Sequence, residues 1–545
     1  MLLNCHTYYS LRFGTIAPRT LVHTAKTKGY AYLTLTDINT TSACWDVLRE
    51  CQKTGIRPVL GIDFRNGAQQ QFILLAKNHN GFQRINAYLS EFLHEKATIP
   101  PTAKNLPDTY AIYPFEKAPK RTLAAHEFIG VRSRELNRLK FSPWRKQPDK
   151  LLALHTVSFL NKKGFNIHRL LRAIDNNTLL SKLPTSEEGS EHDLLLSQET
   201  LQKQFREFPE LLQNTERLLQ KCVFQFDFES ATHNNQHCFG ASEADDLQLL
   251  QTLIEKGLPY RYGNSPDDTI LKRVAKELDI IQKKGFVSYF LINWHILEYA
   301  RSKGYYYVGR GSGANSVIAY VLRITDVDPI ELDLYFERFI NLYRKNPPDF
   351  DIDFSWADRD DVTEFIFKTF KHTALITVYN TFKYRAAVRE LGKVFGLPKA
   401  EIDKLSAGHY RYEQLDRLSQ LVITYSKAIE GFPNYLGIHA SGIIISEAPI
   451  HRYTATFMPP KGFPTTQFDM VVAEDIGLFK FDILSQRGLG KIKDAVQLVQ
   501  QNHPNLPPID IHDIKRFKQD ERIKTLLREA KAIGCFYVES PAMRM

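Results

Sequence analysis

The chain has 545 residues, 43% hydrophobic and 24% charged, the balance of a globular protein long enough for several domains with separate cores. It contains no uninterrupted apolar run of membrane-spanning length and opens on no charged-then-apolar leader, so a cytoplasmic location is expected. Its 71 Lys and Arg against 61 Asp and Glu give a formal charge of +10, compatible with a polyanionic partner without demanding one, and its six scattered cysteines form no CxxC pair and read as free thiols of a reducing cytosol.

To about residue 230, short β-rich runs (YAYLTLTD, RPVLGIDF, QFILLAK, LLALHTVSFL) alternate with helix-like stretches, the rhythm of βα units in a parallel sheet or barrel. Pro100 to Lys120 is rich in Pro and Lys and reads as an exposed connection. Asp245 to Lys284 predicts two helices broken near Pro259–Pro266, and FVSYFLINWHILEYARSKG a third that ends near Gly304. A strand (YYYVG), a Gly/Ser turn (Arg310 to Ser316) and an apolar helix (VIAYVLRI) come next. Then follow an acidic strand, a basic helical region from Thr381 to Gly396, and more helix to about Ser426. The β-rich HASGIIISEA and the strand-like GLFKFDIL close the series before a mixed tail from Asp510, and no internal repeat is visible.

Two of these segments carry chemistry together. NPPDFDIDFS sets Asp349, Asp351 and Asp353 on one strand face and Phe350, Ile352 and Phe354 on the other. Carboxylates about 6.5–7 Å apart on one face repel unless positive charge stands between them, and lysines with water or metal ions could supply it. In GLFKFDIL, Leu478, Lys480 and Asp482 share a face by the same alternation. Beside the Asp-x-Asp strand, Asp482 completes a triad of hard oxygen donors suited to Mg²⁺, and Lys480 offers a positive charge to phosphate. Three glycines, two serines and an arginine in GRGSGANS fit either a plain turn or an anion cradle with a helix starting just after it. Arg385, Arg389 and Lys393 recur at helical spacing, a stripe that is either solvated or phosphate-tracking.

From about Gly285 to Ser540 the sequence resembles the alpha subunit of bacterial DNA polymerase III, a C-family replicative polymerase. The matching motifs are GFVSYFLI, VGRGSGANSVIAYVLRITDVDPIELDLYFERFIN, PPDFDIDFS, IHASGIIIS, TTQFD, GLFKFDIL and GCFYVESPAMR. The resemblance implies a multidomain α/β chain: a distorted βα-barrel-like PHP domain, then a polymerase beta-like nucleotidyltransferase palm with a helical thumb insertion. The expected boundaries are 1–230 for the PHP-like domain, 231–380 and 439–487 for the palm, 381–438 for the thumb and 488–545 for the start of the fingers. It also implies that Asp351, Asp353 and Asp482 are catalytic and hold two Mg²⁺ ions, that Arg310, Gly311, Ser312 and Lys480 handle phosphate, and that Arg385, Arg389 and Lys393 touch DNA. His439, Ser441 and Gly442 fall on a family motif, with a structural role expected for His439.

The N-terminal part is similar to PHP domains whose metal-bearing forms carry His-x-His, Thr-Asp-His, Gly-x-Glu and Asp-x-His. Here those positions read Asn4 and His6, Asp37 followed by Ile38, Asp63, and Thr156-Val157-Ser158. No zinc, phosphoester hydrolysis or proofreading is therefore expected of this domain, only a scaffold role. Family members continue past GCFYVESPAMR into large fingers, a helix-hairpin-helix element, a clamp-binding peptide and an OB-fold, so the sequence is expected to cover the N-terminal half. The expected function is template-dependent transfer of dNMP to a primer 3′-hydroxyl in the cytoplasm. Primer-template DNA and dNTPs are the expected partners, the sliding clamp only with the remaining half, and no membrane. An inactive DNA-binding accessory and, less favoured, a PHP-type phosphoesterase are the alternatives.

Overall fold

The computed structural model describes residues 2–229, 234–340, 350–535 and 538–545. The chain forms two compact units, one of residues 1–234, 372–439 and 448–478, the other of 235–371, 440–447 and 479–545.

The first unit is built on an eight-stranded sheet. Its spatial order is Leu151–Ala153, Glu127–Val131, Thr109–Pro114, Gln69–Ala76, Arg57–Asn66, Tyr32–Leu35, Leu2–Cys5 and Thr156–Val157. The two edge strands are separated in sequence by only Leu154 and His155, a span of about 10 Å when extended. A flat sheet of eight strands would hold its edges about 34 Å apart, so this sheet curls round on itself. Leu3, Val59, Ile73, Leu75, Ile112 and Leu152 form one of its buried clusters.

Two expectations are corrected here. The sheet is mixed, because Arg57–Asn66, Gln69–Ala76 and Thr109–Pro114 run antiparallel in succession. Gly67, at φ 57°, takes the first of the two loop positions between Asn66 and Gln69, a tight hairpin where a helical crossover was expected. The segment from Pro100 to Lys120 is not wholly an exposed connection either, since Thr109–Pro114 is buried throughout and paired on both sides. The flanking prolines and lysines mask six residues whose β-forming side chains fill the interior.

Helices Tyr384–Phe395, Lys399–Ser406 and Arg417–Ile429 also belong to the first unit. Gly396 ends the first in a left-handed conformation at φ 79°, and the Asp416 side chain caps the third through the Leu418 and Ser419 N–H groups. Ala387, Val388 and Leu391 of the first helix join Leu170 and Leu171 of helix Lys162–Asp175 and Val422 and Ile423 of the third in one core.

In the second unit, strand Asp351–Ser355 lies between Lys480–Gln486, parallel to it, and Tyr307–Arg310, antiparallel. Gly442 to Ile444 pair antiparallel with the far side of Lys480–Gln486. The apolar side chains dictate which way this sheet faces. Phe350 stacks on Tyr289 at 5.7 Å and meets Phe290 edge-on at 5.2 Å, and Phe481 lies 4.8 Å from Tyr289, so helix Val287–Ser302 covers this face. Each such ring contributes about 1.5–3 kcal/mol through burial. The two helices expected between Asp245 and Lys284 are Glu243–Tyr262 and Asp268–Lys283. No helix among the described residues is long and apolar enough to cross a membrane.

Candidate active site

The face opposite those aromatic rings carries the charge. Asp351 is the register partner of Asp482 across the parallel pair and of Arg310 across the antiparallel pair. Partners in register project to the same side of a sheet, so both carboxylates and the guanidinium share one face, with Asp353 two residues along. Asp353 and Asp482 are buried, at 2% and 4% exposure, while Asp351 is half-buried. Asp349 lies outside the described residues.

Two basic side chains stand among these acids. Arg310 donates through Nε to Asp353 Oδ2 at 2.6 Å and through Nη1 to Asp351 Oδ2 at 3.0 Å. The Lys480 ammonium is paired with Asp482 Oδ2, and Ser441 Oγ donates to Asp482 Oδ1 at 2.6 Å. Gln486 Nε2 reaches Asp353 Oδ1 at 3.4 Å. Three carboxylates thus stand with one guanidinium and one ammonium among them. Among the described residues no group of three or more His, Cys, Asp or Glu side chains converges as a metal cluster, and here Arg310 and Lys480 stand among the carboxylates.

The Gly/Ser turn forms a 3-10 helix, Gly311–Asn315, entered through Gly311 at φ 82°. Its glycines are needed for close approach as much as for any ligand. A Cβ on Gly309 would lie 1.9 Å from the Ile324 carbonyl oxygen, and one on Gly313 would lie 2.3 Å from the Phe350 ring. The donors at the start of the following helix are already taken. Helix Val317–Val321 has its N-terminal donors taken by Glu277, which accepts from Val317 N and Ile318 N at 3.1 Å each and from Ser316 Oγ at 2.8 Å. Glu277 is fully buried, which pushes its carboxyl up, while Arg273 Nε at 2.8 Å pulls it down.

Composition and motif did not flag Glu277. Its signal was positional: Ile270, Val274, Glu277 and Ile281 follow the apolar spacing of helix Asp268–Lys283, so a carboxylate occupies the buried stripe. Arg359 was missed too. It lies almost wholly buried and ties Ile483 O at 3.2 Å to Ala440 O at 3.0 Å, fastening the strand of Asp482 to its antiparallel neighbour.

Arg385, Arg389 and Lys393 are exposed on helix Tyr384–Phe395 of the first unit. Arg389 donates to Asp403 at 3.1 Å and Lys393 to Glu390 at 2.9 Å.

Comparison with known proteins matches residues 3–117 to the PHP domain and residues 248–485 to the bacterial DNA polymerase III alpha NTPase domain. The chain therefore joins a PHP domain to a polymerase alpha-type NTPase domain. It is similar to the bacterial DNA polymerase III alpha subunits over their N-terminal part. A DNA polymerase III subunit alpha from Bacillus subtilis (strain 168) is 30% identical, aligned over 99% of this chain and 53% of its own length. An error-prone DNA polymerase from Symbiobacterium thermophilum is 29% identical over 99% of this chain and 55% of its own. A DNA polymerase III subunit alpha from Buchnera aphidicola subsp. Schizaphis graminum is 28% identical over 99% and 52%. The chain spans about half the length of these curated relatives.

Proposed function

We propose that this chain carries the nucleotidyl-transfer centre of a DNA-directed DNA polymerase, with Asp351, Asp353 and Asp482 as its catalytic carboxylates. The observation that supports this most is the register pairing of Asp351 with Asp482, beside Asp353, on a face whose reverse side is packed with aromatic rings. Short carboxylates on two neighbouring strands are a donor set that fits Mg²⁺, and these three residues would hold two such ions. Bound there, the ions supply Lewis acidity and charge neutralisation for transfer of a dNMP to a primer 3′-hydroxyl.

The chain's own side chains do the remaining work. Arg310 and Lys480 neutralise the carboxylates and, turned outward, reach the triphosphate of an incoming dNTP beside Gly311 and Ser312. Glu277 and Arg273 keep that turn in place from behind. Residues 231–380 and 439–487 act as a polymerase beta-like palm, 381–438 as a helical thumb, 488–545 as the start of the fingers and 1–230 as a scaffold. The Arg385, Arg389 and Lys393 stripe tracks the phosphates of primer-template DNA.

Primer extension by this chain with Mg²⁺, compared with Asp353→Asn and Asp482→Asn, tests the proposal. Extension lost in both variants supports it. Extension that survives both removes the catalytic assignment, and DNA binding without any extension gives the chain a binding role alone.

A further inference from the structure

The first unit holds a second cluster of buried charge that nucleotide transfer does not use. Asp63, fully buried in strand Arg57–Asn66, gathers its donors on one oxygen, Oδ2. Arg65 contributes Nη2 at 2.7 Å and Nε at 3.0 Å, Gln70 its amide at 2.9 Å, His6 its Nε2 at 3.1 Å and Asn4 its amide at 3.4 Å. Asn4, His6 and Asp63 stand where the resemblance to metal-bearing PHP domains sets ligands, and Asn4 and His6 also bond Thr156 Oγ1 at 3.0 Å and Ser158 Oγ at 2.9 Å.

We propose that Arg65 is the resident cation of this site, a guanidinium built into the fold where a divalent ion would otherwise neutralise Asp63, so that the domain keeps its structure without metal.

The donor chemistry supports this in three ways. An ionised Asp63 can only accept, so His6 Nε2 carries the proton and has no lone pair to offer a metal. Asp37, the other acid at a ligand position, has both oxygens engaged by Thr7 N at 2.6 Å, Thr7 Oγ1 at 2.7 Å and Ser10 Oγ at 2.6 Å. Of the four carboxylate oxygens of Asp37 and Asp63 only Asp63 Oδ1 is left without a partner, and one oxygen does not make the four-ligand shell of a zinc ion.

Arg65 is also held like a structural part. Between Phe64 and Arg65 the ladder to the neighbouring strand slips by one residue, and the slip sets Arg65 opposite Gln70, which also donates to Asp63. The guanidinium lies 4.9 Å from the centre of the Phe13 ring, the Arg65 backbone N–H donates to Asn39 Oδ1 at 3.0 Å, and the residue is almost wholly buried. Burial would raise the Asp63 carboxyl, but Arg65 and His6 hold it well below the ordinary carboxylate range.

Metal content and thermal melting of the purified chain test this. After exposure to Zn²⁺ or Mn²⁺ and dialysis, the chain is expected to retain far less than one ion in this site, with the same Tm with and without a chelator. Arg65→Ala is expected to lower Tm sharply, and adding Asp63→Asn to it should restore part of the loss, because the second change removes the charge the arginine serves. If Arg65→Ala yields no folded protein, a folded double variant supports the proposal and an unfolded one overturns it. One ion per chain lost on Asp63→Asn, a chelator-sensitive Tm lost with it, or strictly additive losses in the two variants would also overturn it.

Discussion

Asp351 and Asp482 lie directly across from one another on adjacent parallel strands, although 130 residues separate them in the chain. On their shared face, with Asp353 beside them, Arg310 and Lys480 stand among the carboxylates. That pairing is the physical basis of the first prediction.

Arg310 competes with any divalent ion for Asp351 and Asp353. Arg310→Gln should therefore tighten Mn²⁺ binding in the absence of nucleotide, by roughly tenfold or about 1.4 kcal/mol, and weaken dNTP binding. Calorimetric titrations with Mn²⁺ and with a dNTP check the two opposite signs. Loss of both affinities would mean that Arg310 is only structural.

Glu277 satisfies two backbone donors, a hydroxyl and Arg273 in a buried setting. Glu277→Ala should cost about 3–5 kcal/mol in urea unfolding, because it orphans all of them at once. Glu277→Gln, which keeps the shape, should cost less.

How much of this was legible depended on the range of the interaction. Alternation identified the faces of Asp351, Asp353, Lys480 and Asp482, because strand periodicity is a local property. The register that brings Arg310 against two carboxylates was not legible, since cross-strand pairing is settled by packing elsewhere in the sheet. Gly309 looked like part of a phosphate loop, and its closest demand is instead the Ile324 carbonyl. Strand Thr109–Pro114 was hidden by flanking Pro and Lys, and the reversal at Gly67 by the expectation of βα units. The PHP-type ligand losses could be read residue by residue, but Arg65 could not be tied to Asp63 before the slipped hairpin was seen.

If the exposed stripe binds DNA, replacing Arg385, Arg389 and Lys393 by alanine should reduce the dependence of log affinity on log salt by up to about 3 units, with little effect on base preference. Fluorescence anisotropy at several salt concentrations measures this. An unchanged slope assigns the stripe to solvent and to its local partners Asp403 and Glu390.

Acid should weaken the first unit through buried neutral histidines. His168 receives the Gly189 N–H on Nε2 at 2.7 Å and bonds the Phe13 carbonyl through Nδ1, and burial lowers its pKa to about 3. Its contribution to stability is complete above the ordinary value of 6.5 and is lost as pH falls from there toward about 3, at most about 1.4 kcal/mol per pH unit. Tm should decline between pH 7 and pH 5 more steeply in the wild-type chain than in His168→Gln, and parallel profiles would exclude this origin.

The central claim is that Asp351, Asp353 and Asp482 form one divalent-ion site. Mn²⁺ binding to the folded chain in the presence of a non-hydrolysable dNTP analogue tests it most directly. Asp353→Asn and Asp482→Asn should each weaken binding by roughly tenfold or more with the fold unchanged. Wild-type affinity retained in the Asp482→Asn variant would contradict it.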